Sequence, residues 1–301
     1  MSEFIISAFA DEAGASLAEQ LDALKANKLG AIEPRGLDKG NIADYGAEDV
    51  KEVKKRLDDA GIVVSAIGSP FGKINIADDF GPHFEKFKQT VENACILETP
   101  NIRMFSFYFD KGQSYEDLRG EVIDRVGAMA EYSLGYGVRC CHENEKGIYG
   151  DTDDRCLDIL EALGGKLWGV FDPANFIQCG VDILPAFEKL KDYVEYMHVK
   201  DCRYRDGFVV PAGKGDGHLR ELLARFAAHC DSPDPADDAL PKRGGRTRFL
   251  TLEPHLKVFA GLSELEQTGG AESVSEAEFT YPTNRAAFDA ACAAFFSIHN
   301  A

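Results

Sequence analysis

The strongest constraint on this chain is an alternation that runs nearly from end to end: eight short apolar segments, each followed by a longer amphipathic one. The apolar segments are Phe4–Phe9, Ala31–Pro34, Val63–Ile67, Ile102–Phe107, Arg139–Glu143, Leu167–Asp172, Tyr196–Lys200 and Phe249–Glu253. Short runs of this kind read as strands covered on both faces. The segments between them repeat apolar residues at helical spacing: Leu17–Leu24, Ala47–Ala60 with Gly61 as its stop, Phe84–Leu97, Tyr115–Leu134, Asp153–Leu163, Ile183–Leu190, Leu219–Ala228 and Arg285–Phe296. A helix after every strand demands parallel pairing, and eight such units in 301 residues predict a single (β/α)₈ TIM barrel over residues 1–301. An open doubly wound sheet is the rival, but it stops at about five or six strands and opens with a glycine-rich phosphate turn. No GxGxxG or GxxxxGK[ST] follows the first strand. Residues 231–248, rich in Pro, Asp and Gly, predict an exposed loop before the last strand, and Thr268–Pro282 a second polar interruption.

In such a barrel the active site lies at the C-terminal mouth, so the strand ends carry the chemistry. The fifth ends in CCHENE with Glu143, the sixth in VFDPANF with Asp172, the seventh in MHVKD with His198, and the eighth in LTLEPH with Glu253. Each has an ordinary explanation alone: Asp before Pro is commonly a turn or cap, and a His in an apolar strand is commonly a satisfied core residue. Four in succession, all delivered to one rim, predict one divalent metal ion. Three carboxylates and an imidazole favour Mn²⁺ or Mg²⁺, with Zn²⁺ or Co²⁺ as alternatives. His142 alternates with Glu143 and is expected to face the helical layer.

Further rim residues are candidates for substrate binding: Glu33 on the second strand, Lys73 after the third, Arg103 in the fourth, Lys200 after His198, His255 after Glu253, and Asn175 in DPAN. A rim Lys or Arg pairs either with an anionic substrate group or with a neighbouring acid. The GKGDG run at Gly213–Gly217 lacks the setting of a phosphate loop and reads as a loop able to close over substrate.

A formal charge of −18 opposes approach to nucleic acid or anionic lipid. Eight scattered cysteines without a CxxC pair, an N-terminus without signal-peptide character and the lack of a long uncharged apolar run predict a cytoplasmic, non-membrane protein.

The ordered Glu143, Asp172, His198, Glu253 set, the RMFSF run at Arg103–Phe107 and the EFTYPTNRAAFDAA tail at Glu278–Ala291 resemble the xylose isomerase-like TIM barrels, the sugar phosphate isomerase/epimerase family. The resemblance covers nearly the whole chain. It implies those four residues as metal ligands, with Glu143 and Glu253 also the acid/base pair, as in the family's ketose 3-epimerases. The implied activity is an isomerase or epimerase moving a proton on a small keto sugar through an enediolate, and a homodimer is compatible with it. Two positions depart from the 3-epimerase pattern: Asn175 stands where those enzymes carry a second His, and Tyr149 where they carry a further Glu. The alternatives are a lyase that dehydrates a keto-inositol or keto acid, and a non-catalytic sugar-binding subunit. The family's endonuclease branch needs many more histidines than the seven here.

Overall fold

The computed structural model describes residues 4–236, 240, 247–259 and 278–299. Thirteen strands are present among them. They are β1 (Phe4–Ala8), β2 (Ala31–Ile32), β3 (Gly36–Leu37), β4 (Gly40–Asn41), β5 (Val63–Val64), β6 (Ile67–Gly68), β7 (Asn101–Met104), β8 (Arg139–Glu143), β9 (Leu167–Phe171), β10 (Val194–Val199), β11 (Asp201–Cys202), β12 (Val209–Val210) and β13 (Arg248–Leu252). Seven form one parallel sheet in the order β1-β13-β10-β9-β8-β7-β6. The parallel pair β2–β5 fills the remaining arc. Glu33 N–H donates to Ala8 O (3.0 Å) and Gly68 N–H to Pro34 O (2.9 Å), so β2 is stitched to both sides and the predicted barrel closes.

The third strand is split into β5 and β6 rather than running unbroken. Ser65 sits at the break; its hydroxyl bonds Ile32 O (3.2 Å) and lies 2.6 Å from the Ser7 hydroxyl. A side chain that bonds backbone in this way competes with the regular ladder. Arg139 reaches Glu195 (2.8 Å) and Asn101 (3.1 Å) at the N-terminal end of the strands and fills the barrel floor. The C-terminal end is left as the mouth.

The helices α1 (Leu17–Ala26), α2 (Ala47–Ala60), α3 (Phe80–Leu97), α4 (Tyr115–Leu134), α5 (Asp153–Leu163), α6 (Pro173–Gln178), α7 (Ile183–Leu190), α8 (Leu219–Cys230) and α9 (Asn284–His299) wrap the sheet. Local chemistry sets their limits. Ser16 and Glu19 form a capping box at α1, Ser114 and Thr152 cap α4 and α5, and Gly61 ends α2 at φ 68°. α3 begins four residues before its predicted start because Asp79 caps it. Helix α2 buries Val50, Val53 and Leu57 while its other faces carry charge; each such side chain stabilises the fold by about 1.5–3 kcal/mol. Phe87, Phe187, Phe226, Phe288 and Phe295 fill the layer between helices and sheet.

The expected loop over 231–248 falls partly outside the described residues, as does most of Thr268–Pro282. Among the described residues no helix is long and apolar enough to cross a membrane. All eight cysteines carry free thiols.

Candidate metal centre

Strands β8, β9, β10 and β13 are neighbours in the sheet. Their C-terminal ends therefore bring Glu143, Asp172, His198 and Glu253 to one point, buried, with one potential ligand atom from each lying within 4.8 Å of the others. Two metal–oxygen bonds of about 2.1 Å span about 4.2 Å, so the cluster is near the size of a coordination sphere. His198 Nδ1 stands at its centre, 3.0 Å from Glu143 Oε1, 3.3 Å from Glu253 Oε2 and 3.9 Å from Asp172 Oδ2. His198 Nε2 points the opposite way, 3.4 Å from Glu33 Oε2. That leaves Nδ1 as the nitrogen able to hold an ion, with the Glu33 carboxylate on the other side of the ring.

Asp172 serves two ends. Its Oδ1 accepts the N–H of Asn175 (2.9 Å), capping α6 with Pro173 at the first helical position. Its Oδ2 faces the cluster, 2.9 Å from Lys200 Nζ. Asp-Pro is thus both a helix cap and part of the centre. Helix α6 was absent from the expected elements, although Asp-Pro is a standard helix-start signal.

Each glutamate is divided in the same way. Glu143 gives Oε2 to Arg103 Nη1 (2.7 Å) and turns Oε1 to His198. Glu253 gives Oε1 to Arg35 Nη1 (3.0 Å) and turns Oε2 to His198 and to Lys200 Nζ (3.0 Å). One oxygen of each is held by a guanidinium and the other is presented inward.

The electrostatics call for positive charge at the centre. Burial works to raise the Glu143 carboxyl, but His198 and Arg103 outweigh it and hold it at about 2. Burial likewise opposes ionisation of Glu253, and Lys200, His255 and His198 win, keeping it well below the ordinary range. Asp172 is pushed up to about 7, chiefly by burial, with repulsion from Glu253 and Glu143 added and Lys200 opposing. Burial would strip the proton from His198, yet Glu143 and Glu33 raise its pKa well above normal. Three buried carboxylates that draw protons and ammonium towards one spot fit a divalent cation there.

The remaining predicted residues take varied positions. Asn175 donates its amide to Glu143 Oε1 (3.2 Å) and Asn144 O (2.9 Å), so it orients a carboxylate of the cluster. Glu33 is fully buried and accepts from Tyr196 OH (2.9 Å). Lys73 pairs with Glu145 (3.1 Å) over the ring of Phe105. His255, in a left-handed conformation (φ 43°), has Nε2 3.5 Å from both Glu12 Oε1 and Glu253 Oε1. Arg103 is 2 % exposed, and its Nε and Nη2 have no hydrogen-bond partner among the described residues. His142 faces outward to Ser106 (2.9 Å), as strand alternation predicts. Tyr149 bonds Asp158 on α5 (2.9 Å).

The GKGDG run proves to be a filled cradle. Asp201 accepts the N–H groups of Gly213 (2.8 Å), Gly215 (3.0 Å), Gly217 (3.0 Å) and Cys202 (3.0 Å). A side chain at Gly215 would meet Asp201 Oδ1 at 2.3 Å, which is why glycine stands there. The chain's own carboxylate takes the place a phosphate would need.

The sequence reading assigns no site role to Asp11 and Glu12. Asp11 holds Arg35 through two hydrogen bonds (2.9 and 3.0 Å). The signal was there: FADE puts two acids within four residues of the end of the first strand, on the side of the barrel where the other four lie.

The fold has many solved counterparts. The chain superposes on an L-ribulose 3-epimerase with a TM-score of 0.70 at 17% identity, covering 100% of this chain and 95% of that one. It superposes on IOLI, solved with a zinc atom, with a TM-score of 0.69 at 15% identity and 98% coverage of each. The probable 3-DHS dehydratase AsbF of Bacillus anthracis gives a TM-score of 0.65 at 17% identity, over 93% of this chain and 100% of that one. At these identities the likeness concerns the fold. No curated protein sequence matches the chain. Residues 21–229 match the xylose isomerase-like TIM barrel model, and the chain belongs to that family.

Proposed function

We propose that the protein is a divalent-metal-dependent isomerase or epimerase acting on a keto sugar or sugar-derived keto compound. The observation that carries the proposal is the convergence of Glu143, Asp172, His198 Nδ1 and Glu253 within 4.8 Å at the barrel mouth. These four residues would hold the ion, with Mn²⁺ or Mg²⁺ suiting the oxygen-rich set. A bound divalent ion polarises a carbonyl and offsets the negative charge that develops when an adjacent C–H loses its proton.

The protein's own groups supply the rest. Glu143 and Glu253 each turn one oxygen to His198 Nδ1 (3.0 and 3.3 Å), and in this reading one carboxylate takes the proton and the other returns one. The low pKa of Glu143 keeps it ionised, the form a cation-binding carboxylate needs. Arg103, with Nε and Nη2 unused and buried, offers two donors to a substrate oxygen. Asn175 and Arg103 hold Glu143 while it acts. Lys73, Lys200, Glu33 and His255 form the surrounding wall. Eight free thiols suit a reducing, cytoplasmic setting.

The test is incubation with a panel of keto sugars in D₂O with Mn²⁺ or Mg²⁺. Solvent deuterium in recovered or isomerised sugar supports the proposal. An enone or diketone product would instead identify a lyase on the same framework. No exchange and no product over a wide panel would refute both and leave a binding role.

A further inference from the structure

Glu253 comes from the last barrel strand, yet its orientation is set by the second. Arg35, in the turn after β2, donates Nη1 to Glu253 Oε1 at 3.0 Å across a sequence separation of 218 residues. The same guanidinium donates Nε and Nη2 to the two oxygens of Asp11 at 2.9 and 3.0 Å. Asp11 is itself fixed by the N–H of Gly36 at 3.2 Å. The guanidinium carbon lies 4.2 Å from the ring centre of Phe9 and 4.9 Å from that of Phe259, and Arg35 is 3 % exposed. Fork, rings and carboxylate leave the arginine one position. Glu253 Oε1 is thereby tied, and Oε2 alone faces His198 Nδ1.

We infer that Asp11 and Arg35 are positioning residues for the metal centre: Asp11 locks Arg35, and Arg35 fixes Glu253 so that one oxygen is presented to the ion. This rests on the metal reading above. Partners that orient a ligand in this way typically change metal affinity about 10–100-fold when removed.

The inference has a sign that bulk electrostatics does not share. Arg35 is a positive charge beside a site for a dication, so on Coulomb grounds alone its removal strengthens metal binding. If its task is orientation, removal weakens binding. A purely structural arginine would lower the melting temperature and leave the affinity of the folded protein unchanged.

The experiment is a Mn²⁺ titration of the metal-stripped full chain, read from the electron paramagnetic resonance of free Mn²⁺, with thermal melting alongside. Wild type, Arg35→Gln, Arg35→Lys, Asp11→Asn and the double variant Asp11→Asn/Arg35→Gln are compared. The double variant replaces the ion pair with two neutral amides and leaves no buried charge unpaired at that pair. The inference predicts a 10–100-fold rise in Kd for Arg35→Gln and for the double variant. Arg35→Lys keeps the charge but loses the fork, and rises less; Asp11→Asn rises several-fold. A Kd for both Gln-bearing variants equal to or below that of wild type would overturn the inference alone. Failure of wild type to bind Mn²⁺ would overturn the metal reading and this inference with it.

Discussion

Lys200→Met probes the charge balance of the centre. Lys200 Nζ lies 2.9 Å from Asp172 Oδ2 and 3.0 Å from Glu253 Oε2, at 4 % exposure. Methionine keeps most of the packing and removes the ammonium. Breaking one side of a buried ionic network costs about 3–5 kcal/mol, because the partners stay buried without compensation. For 301 residues, an unfolding entropy of about 2.1 cal/mol/K per residue gives about 0.6 kcal/mol/K, so the metal-free protein should melt about 5–8 °C lower. Asp172 moderates this. Its carboxyl already sits at about 7 through burial and the nearby Glu253 and Glu143, so at pH 6 it takes up a proton and relieves part of the repulsion. Losing Lys200 raises the Asp172 carboxyl further, so the drop is expected to be larger at pH 8 than at pH 6. The assay is scanning calorimetry in chelator, repeated with saturating Mn²⁺. A cation other than Lys200 then compensates the carboxylates, so Mn²⁺ should raise the melting temperature of Lys200→Met by more than it raises that of wild type. A metal-free shift of no more than about 1 °C at pH 8, or a smaller Mn²⁺ effect in the variant, would show that Lys200 does not balance the buried carboxylates.

Three further outcomes follow from the structure. His83 is held down at about 4 by burial and then by Lys86 and Arg125, and its Nε2 accepts the N–H of Gly72 (2.9 Å). A histidine with a depressed folded pKa stabilises the fold above its unfolded value near 6.5, and that stability is lost as pH falls towards 4. Discounted for its partial exposure, the loss is about 1–2 kcal/mol, and urea midpoints at pH 7.5 and 4.5 should differ less in His83→Gln than in wild type. Asp201→Ala strips the acceptor from four backbone N–H groups and should cost about 2–4 kcal/mol in urea unfolding, with Asp201→Asn between. Tyr196→Phe removes the donor to Glu33 Oε1 and should cost about 1–3 kcal/mol; no loss of stability would show that Glu33 is satisfied elsewhere.

What the sequence made legible follows from physical range. Strand alternation and helical spacing are local, so all eight barrel strands and their main helices could be read, with Ala47–Ala60 and Asp153–Leu163 matching to the residue. The four central side chains were legible because each closes a strand, and the barrel's symmetry turns a position in sequence into a position on the rim. The Arg35–Glu253 bond was not, since it joins residues that only barrel closure brings together. For Lys73 the sequence leaves a substrate contact and a pair with a neighbouring acid equally open; the structure has it over Phe105 and paired with Glu145. The bonding of Gly213–Gly217 to Asp201, 12 residues earlier, was also out of reach, since no local pattern displays it.

The central claim is that Glu143, Asp172, His198 and Glu253 hold one divalent ion. Anomalous diffraction from crystals soaked in Mn²⁺ tests it most directly. One strong peak is expected at the barrel mouth, bounded by a single oxygen from each carboxylate and by His198 Nδ1, and lost in Glu253→Ala. A peak bounded by other residues, or none at this cluster, would contradict it.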